Sequence, residues 1–151
     1  MTLIICTVPQ IAFVDKDRFH QVVKTALPED GWNVTHDPYP LQVGGVDMEI
    51  DLGAERLLGA ERGDEKIAVE VKRFLARASA ISEFHMALGQ FINYRAALRV
   101  EDCDRVLYLA IPDLTYNSFF QLDFPQLMVK ENEVKLIVYD VESERIVQWQ
   151  N

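Results

Sequence analysis

The stretch Lys66–Lys72 (KIAVEVK) decides the fold of this chain. Successive side chains of a β-strand point to opposite faces, so its three branched apolar residues share one face, and Glu70 and Lys72 share the other. The charged segment Glu61–Glu65 lies directly upstream, contains a glycine and follows Leu57–Ala60. We therefore predict a β-hairpin whose second strand ends in an acid and a base on one face.

A further strand is predicted upstream of this hairpin. In Val46–Asp51 (VDMEID) apolar and acidic residues alternate, which places three carboxylates on one strand face, with Asp51 at the strand end. Four other acids in this region could bind a second cation or simply solvate the edge of the sheet, and we favour solvation: Asp47, Glu49, Glu55 and Glu61.

Helices are predicted on either side of these strands. The first opens near Asp15 or Asp17, ends before Gly31, and carries apolar residues spaced by three and four: Phe19, Val22, Val23, Ala26 and Leu27. The second runs from about Ser79 to Arg99, and its buried side carries Ile81, Phe84, Leu88, Phe91 and Ile92.

The remaining segments predict four more strands and a short helical stretch. A strand around Val34 is interrupted by Asp37–Pro40 (DPYP), because proline cannot donate to a ladder. Arg105–Ile111 is largely apolar and is expected to lie centrally, covered on both faces. An aromatic helical stretch follows, and Val134–Tyr139 and Ile146–Trp149 form a terminal hairpin.

These elements define the predicted fold class. The order helix, three strands, helix, strand describes an α/β protein with an αβββαβ core, a mixed central sheet flanked by helices, and a C-terminal hairpin. The chain has 151 residues, of which 49% are hydrophobic, enough for one core and too few for two ordinary domains. We therefore predict a single domain over residues 1–151.

Composition narrows the functional classes. The net charge is −9, which is poorly suited to gripping a polyanion unaided, although Arg62–Arg99 holds seven Lys and Arg against four Asp and Glu. Cys6 and Cys103 match no disulfide or metal-binding pattern. No apolar run approaches the roughly 20 residues that cross a bilayer, and no signal peptide is recognisable at the N-terminus. We expect a soluble cytoplasmic protein without a membrane role.

Asp51, Glu70 and Lys72 are the candidate catalytic residues. Hydrolysis of a phosphodiester at neutral pH is helped by a hard divalent cation, Mg²⁺ or Mn²⁺, which carboxylate oxygens bind well. Asp51 and Glu70 can supply such oxygens, and the ammonium group of Lys72 can position water and stabilise developing negative charge. A solvated strand face is the alternative explanation of these residues.

This arrangement resembles the PD-(D/E)xK nuclease superfamily, whose core has the same element order and is called restriction-endonuclease-like. Here the motif reads Ile50-Asp51 and Glu70-Val71-Lys72, without the proline that gives the motif its name. Gln90 and Tyr94 resemble the Gln-x-x-x-Tyr motif of the exonuclease-like branch, in which the pair orients the site and the DNA. His20 could match the metal-binding histidine of that branch, although an ordinary place at the edge of a helix stripe is the favoured interpretation.

The chain further resembles the XisH-type fdxN element excision controlling factors of cyanobacteria. The matching stretches are Asp17–His20, Asp30–Pro38, Asp51–Arg56, Val69–Lys72, Ala87–Gln90 and Ile146–Trp149. The resemblance implies a role in excising a DNA element during heterocyst development, with an XisI-type companion and a site-specific recombinase as partners. It also implies that residues 1–14 are a variable extension and that residues 15–151 form the restriction-endonuclease-like domain.

Three functional hypotheses follow. The chain is a metal-dependent endonuclease or nickase; or it is a catalytically silent accessory that uses a nuclease fold to recruit or regulate a recombinase; or it is the nuclease of a mobile-element or defence pair, with its companion as inhibitor or specificity subunit. DNA is reached through a complex in each case, and the sequence leaves open whether the chain forms a homodimer.

Overall fold

A computed structural model describes residues 7–57, 64–74 and 79–151 of the chain. The helices are α1 (Thr7–Glu29), α2 (Ala80–Glu101), α3 (Asp113–Tyr116) and α4 (Asp123–Glu131), and a 3-10 turn spans Phe119–Gln121. The strands are β1 (Asn33–His36), β2 (Tyr39–Val43), β3 (Val46–Ile50), β4 (Leu52–Leu57), β5 (Asp64–Val71), β6 (Arg105–Pro112), β7 (Leu136–Asp140) and β8 (Arg145–Gln150).

Six strands form one mixed sheet in the order β1-β4-β5-β6-β7-β8. The pairs β5–β6 and β6–β7 are parallel, and the other three neighbouring pairs are antiparallel. β6 lies centrally, as its apolar run predicts, and the predicted terminal hairpin is β7–β8. The sequence therefore predicted a mixed sheet between helices correctly, and the structure adds that the terminal hairpin extends this same sheet.

Alternate side chains of β5 pack into two different hydrophobic layers, one on each face of the sheet. Ile67 and Val69 pack with residues of α1, whereas Ala68 belongs to the layer beneath α2. Glu70 and Lys72 follow Ala68 at intervals of two, so they are on the α2 side of the sheet. The strand phase read from the sequence is confirmed.

The two tryptophans of the chain meet at the α1 layer. Trp32, just before β1, stacks on Trp149 of β8 with ring centroids 5.9 Å apart. The indole N–H of Trp149 donates to Asp30 Oδ2 at 2.6 Å. The last strand is thereby tied to the turn that follows α1.

The segment between β1 and β4 differs from the prediction. Tyr39 and Pro40, which belong to the predicted interruption Asp37–Pro40, instead begin a strand. This strand, Tyr39–Val43, pairs with Val46–Ile50 in a separate two-stranded hairpin. Pro40 is tolerated because a two-stranded hairpin leaves outward-facing positions where no donor is needed. The strand Val46–Ile50, which was predicted to lie in the central sheet, is therefore in this hairpin. β4 takes its predicted place beside β5.

Other boundaries shift as well. α1 begins at Thr7 rather than near Asp15, because nothing in the upstream sequence breaks a helix and Pro9 falls in the first turn, where no backbone donor is lost. The predicted first arm of the β-hairpin, Leu57–Ala60, lies outside the described residues except for Leu57. In the described part β4, which ends at Leu57, pairs antiparallel with β5, and β5 begins at Asp64, inside the predicted loop Glu61–Glu65. Among the described helices, none has the length and hydropathy needed to cross a bilayer.

Candidate functional site

Asp51 and Glu70 meet where the β2–β3 hairpin returns to the main sheet. Asp51 is in a bend between β3 and β4, and Glu70 is on β5. The backbone N–H of Val71 donates to Asp51 Oδ2 at 2.8 Å, and the N–H of Asp51 donates to Glu70 Oε1 at 3.3 Å. Two reciprocal backbone contacts therefore hold the two carboxyl groups beside each other.

Glu70 is only 5% exposed, although it is an acid. Burial, followed by repulsion from Asp51, raises the pKa of Glu70 to about 8, and the nearby charge of Lys72 opposes the rise. Interaction with the side chain of Asp51 also contributes to the raised pKa. At neutral pH Glu70 therefore keeps a proton that a bound cation could replace.

Lys72 supplies the positive charge of the site. Its Nζ lies 3.6 Å from Glu70 Oε2, and its side chain is 23% exposed. The backbone around it is fixed, because its N–H donates to Ala110 O at 2.9 Å and its carbonyl accepts from the Tyr139 hydroxyl at 2.8 Å. Lys72 is thus a partly accessible ammonium group beside the buried Glu70.

The helix α2 brings Tyr94 towards the same carboxylates. Burial raises the pKa of Tyr94 to about 12, and repulsion from Glu70, Asp51 and Glu49 adds to the rise. The phenol therefore stays protonated and can donate a hydrogen bond at any physiological pH. Gln90 lies one turn earlier on α2, and its Oε1 is buried without a hydrogen-bond partner among the described residues. A buried acceptor without a donor is unusual in a folded protein.

His20, the candidate metal-binding histidine, contacts Asp37. Its Nε2 lies 2.7 Å from Asp37 Oδ1, and Lys24 Nζ lies 2.7 Å from the other oxygen of Asp37. The described residues bring no third His, Cys, Asp or Glu together with Asp51 and Glu70 in a metal-binding group. His20 therefore belongs to a cluster with Asp37 and Lys24. Sequence reasoning missed that cluster, and only the i, i+4 spacing of His20 and Lys24 hinted at it.

The other candidate acids have different surroundings where the structure describes them. Glu55 Oε1 is 3.2 Å from Arg105 Nη2, inside a network that also includes Asp102. Asp47 and Glu49 are exposed on the β2–β3 hairpin, in keeping with solvation. Glu61 falls outside the described residues.

The donor set suits a hard divalent cation. Mg²⁺ commonly keeps several waters and binds through only one or two carboxylates together with substrate phosphate oxygens. Asp51 and Glu70 provide two such carboxylates, one of them buried and disfavoured as an unpaired anion. A third protein carboxylate is not required for this kind of site.

Comparisons with known proteins identify the family of this chain. The sequence model of the family described as "XisH protein" matches residues 13–147. This chain belongs to the XisH family. The family predicted from the sequence is thus confirmed.

Two solved structures are similar to this XisH chain over most of its length. The first is the crystal structure of an XisH family protein from Nostoc punctiforme, whose sequence is 61% identical to this chain. The match has a TM-score of 0.81 and covers 89% of this chain and 99% of the Nostoc chain. A fdxN element excision controlling factor protein from Anabaena variabilis is 61% identical, with a TM-score of 0.82 and the same coverage. The search of curated proteins gave no match.

Proposed function

We propose that this XisH chain is a metal-dependent nuclease component of a DNA excision system. The observation that carries the proposal is the carboxyl group of Asp51 beside the buried Glu70, with Lys72 Nζ 3.6 Å from Glu70 Oε2. Two carboxylates and a lysine at one strand end are the groups that metal-assisted phosphodiester hydrolysis needs.

Each of these residues has a distinct role in the proposed reaction. Asp51 and Glu70 would hold Mg²⁺ or Mn²⁺, which supplies activation of water and offsets charge on phosphorus. The ammonium group of Lys72 orients the attacking water and stabilises the negative charge that develops on the phosphate oxygens. Tyr94 donates a hydrogen bond from the α2 side, and Gln90 offers a buried acceptor oxygen to a substrate donor.

The architecture supports a restriction-endonuclease-like core of the PD-(D/E)xK kind. Without the β2–β3 hairpin, the chain runs α1, β1, β4, β5, α2, β6, which is the αβββαβ order. The acid pair and Lys72 then lie at the end of β5, where this core carries its motif. We infer that the hairpin is an insertion between the first two core strands.

The biological role is inferred from the related protein of Anabaena variabilis, which is described as a fdxN element excision controlling factor. We propose that this chain likewise controls site-specific excision of a DNA element. An XisI-type companion and a site-specific recombinase would deliver it to DNA, because a chain of net charge −9 gains little from phosphate contacts alone.

A cleavage assay tests the enzymatic part. Supercoiled and branched DNA would be incubated with the purified chain and an XisI-type companion, with and without Mn²⁺. Lys72→Met should lower cleavage at least a hundredfold and leave Mn²⁺ binding intact. Lys66→Met is a matched control, because Lys66 lies on the same face of the same strand at its other end. Equal activity of the two variants would contradict the proposal.

The negative charge favours one alternative function. A catalytically silent accessory that recruits a recombinase would not need its own grip on phosphate. Excision in cells that carry Glu70→Ala separates the two functions. Loss of excision by a folded variant supports catalysis, whereas excision at the unaltered level supports the accessory role.

A further inference from the structure

The chain passes twice between the main sheet and the β2–β3 hairpin at one place, which we call the corner: Asp37–Pro38 on the outward passage and Asp51–Leu52 on the return. The corner is bounded by two residue pairs, which are His36 with Gly53 on the sheet side and Tyr39 with Ile50 on the hairpin side. Asp37 and Asp51 therefore lie on neighbouring segments of the same corner.

The outward passage is held by α1. Both oxygens of Asp37 are engaged at 2.7 Å, one by His20 and the other by Lys24, which lies one helical turn further along α1. Partial burial opposes ionisation of Asp37, but the hydrogen bonds and charges of Lys24 and His20 outweigh it and hold the pKa of Asp37 below its ordinary value. Asp37 is thus an ionised anchor on the α1 side.

The return passage is held by β5. Val71 N–H donates to Asp51 Oδ2 at 2.8 Å, and Asp51 N–H donates to Glu70. The corner is therefore clamped between α1 on one side and β5 on the other. In the described structure, no strand of the main sheet pairs with the β2–β3 hairpin. The position of Asp51 is therefore determined by the contacts of the corner with α1 and β5 and by packing of the hairpin under α2.

We propose that Asp37, gripped by His20 and Lys24, is a positioning residue that fixes the corner and so sets Asp51 opposite Glu70. His20 then acts on the cation site through Asp37 and Asp51. The inference deepens the proposed cation site, and its experiment is arranged so that the two can fail separately.

Calorimetry with Mn²⁺ alone at pH 8 gives the first readout. Asp37→Asn keeps the size of the side chain and removes its charge, and we expect it to weaken Mn²⁺ binding about tenfold, as changes behind metal ligands commonly do. Glu29→Gln is the matched control. Glu29 also lies on α1 and joins it to β8 through Arg145 at 3.5 Å, away from the corner, so its affinity should equal that of the unaltered chain.

Amide hydrogen exchange gives a readout that needs no metal. Loosening of the corner should speed exchange of the Val71 amide at least fivefold, because its acceptor is Asp51. The Lys72 amide is the internal reference, since it donates to Ala110 within the sheet and should not change. A general loss of stability would accelerate both amides together.

The outcomes separate the two proposals. Weaker Mn²⁺ binding and selective exposure of the Val71 amide in Asp37→Asn support the positioning role. Unchanged affinity and unchanged exchange overturn it. If the unaltered chain binds no Mn²⁺, the proposed cation site is wrong, and the Val71 exchange alone decides the role of Asp37. Lys24→Met replaces Asp37→Asn if the latter does not fold.

Discussion

At the scale of single residues, the chain keeps a carboxyl group where water scarcely reaches it. Glu70 is 5% exposed, and its raised pKa keeps it protonated at neutral pH. An acid in this condition contributes to stability only while it is neutral or neutralised. The free-energy cost of burying Glu70 therefore depends on pH and on whether a cation is bound.

The raised pKa of Glu70 gives a signed prediction. Between the ordinary value of 4.5 and the folded value of about 8, the folded chain keeps a proton that the unfolded chain has released. Stability from this group is therefore complete below pH 4.5 and falls as pH rises to 8, by at most about 1.4 kcal/mol per pH unit. The free energy of unfolding, measured with urea at several pH values, should fall less with pH in Glu70→Gln than in the unaltered chain. The same variant should lose any stabilisation by Mn²⁺.

A second acid isolates this effect. Glu131→Gln lies at the exposed end of α4 and should leave the pH profile of unfolding unchanged. If both variants change the profile equally, Glu70 is not the group that titrates.

Because the side-chain oxygen of Gln90 has no hydrogen-bond partner among the described residues, we predict that removing it raises stability and lowers activity. An unsatisfied buried acceptor costs about 1–3 kcal/mol. Gln90→Met keeps the length of the side chain and removes that acceptor, so the free energy of unfolding should rise by about 1 kcal/mol, while DNA cleavage should fall. Gln126→Met, whose side chain is hydrogen-bonded at the surface, should change neither quantity. A destabilised Gln90→Met would show that its oxygen has a partner.

Sequence predicted some of these residues and not others for a physical reason. Glu70 and Lys72 are two residues apart, so strand periodicity alone places them on one face. The contact between His20 and Asp37 spans seventeen positions and depends on how α1 crosses the corner. No local periodicity encodes such a crossing, so Asp37 was not predicted as the partner of His20.

At the scale of elements, the corner leaves no room for a side chain at Gly53. A Cβ there would approach Tyr39 Cδ2 to 2.9 Å. Tyr39 cannot move aside easily, because its hydroxyl donates to Asp102 at 3.0 Å and Arg105 lies 4.5 Å from its ring centroid. Gly53 is therefore required by the close passage of β1, β2 and β4.

Two glycine substitutions test this packing. Gly53→Ala should lower the free energy of unfolding by about 1–3 kcal/mol through overpacking, and should weaken Mn²⁺ binding by moving Asp51. Gly89→Ala is the counterpart in α2, where a Cβ meets nothing within 4 Å. It should raise stability by roughly 0.5–1 kcal/mol. In thermal unfolding, the midpoint temperature should fall for Gly53→Ala and rise for Gly89→Ala.

Element prediction succeeded where periodicity was sustained and failed at the corner. α2 and β6 were placed correctly, because long helical and apolar runs have few alternatives. The segment Tyr39–Val43 was missed, since its two nearby prolines usually mark a break in pairing. Its actual partner, β3, provides a hairpin that needs no place in the main sheet.

At the scale of the whole molecule, charge opposes independent action on DNA. The net charge is −9, and the basic surplus is confined to the middle of the sequence. We predict that the isolated chain binds duplex DNA no more tightly than about 10 µM at physiological salt, within the range of non-specific binding. Fluorescence anisotropy over a salt series measures this. Nanomolar binding by the chain alone would contradict the need for a partner.

The stack of Trp32 on Trp149 has a practical consequence for all of these experiments. These are the two tryptophans of the chain, and they join the start of β1 to β8 on the α1 face, while the acid pair is on the α2 face. Their emission is therefore an intrinsic optical signal of global folding that is separated from the cation site by the sheet. A substitution at Asp51, Glu70 or Asp37 that silences the site but leaves this emission unchanged has acted locally, and no label is needed to show it.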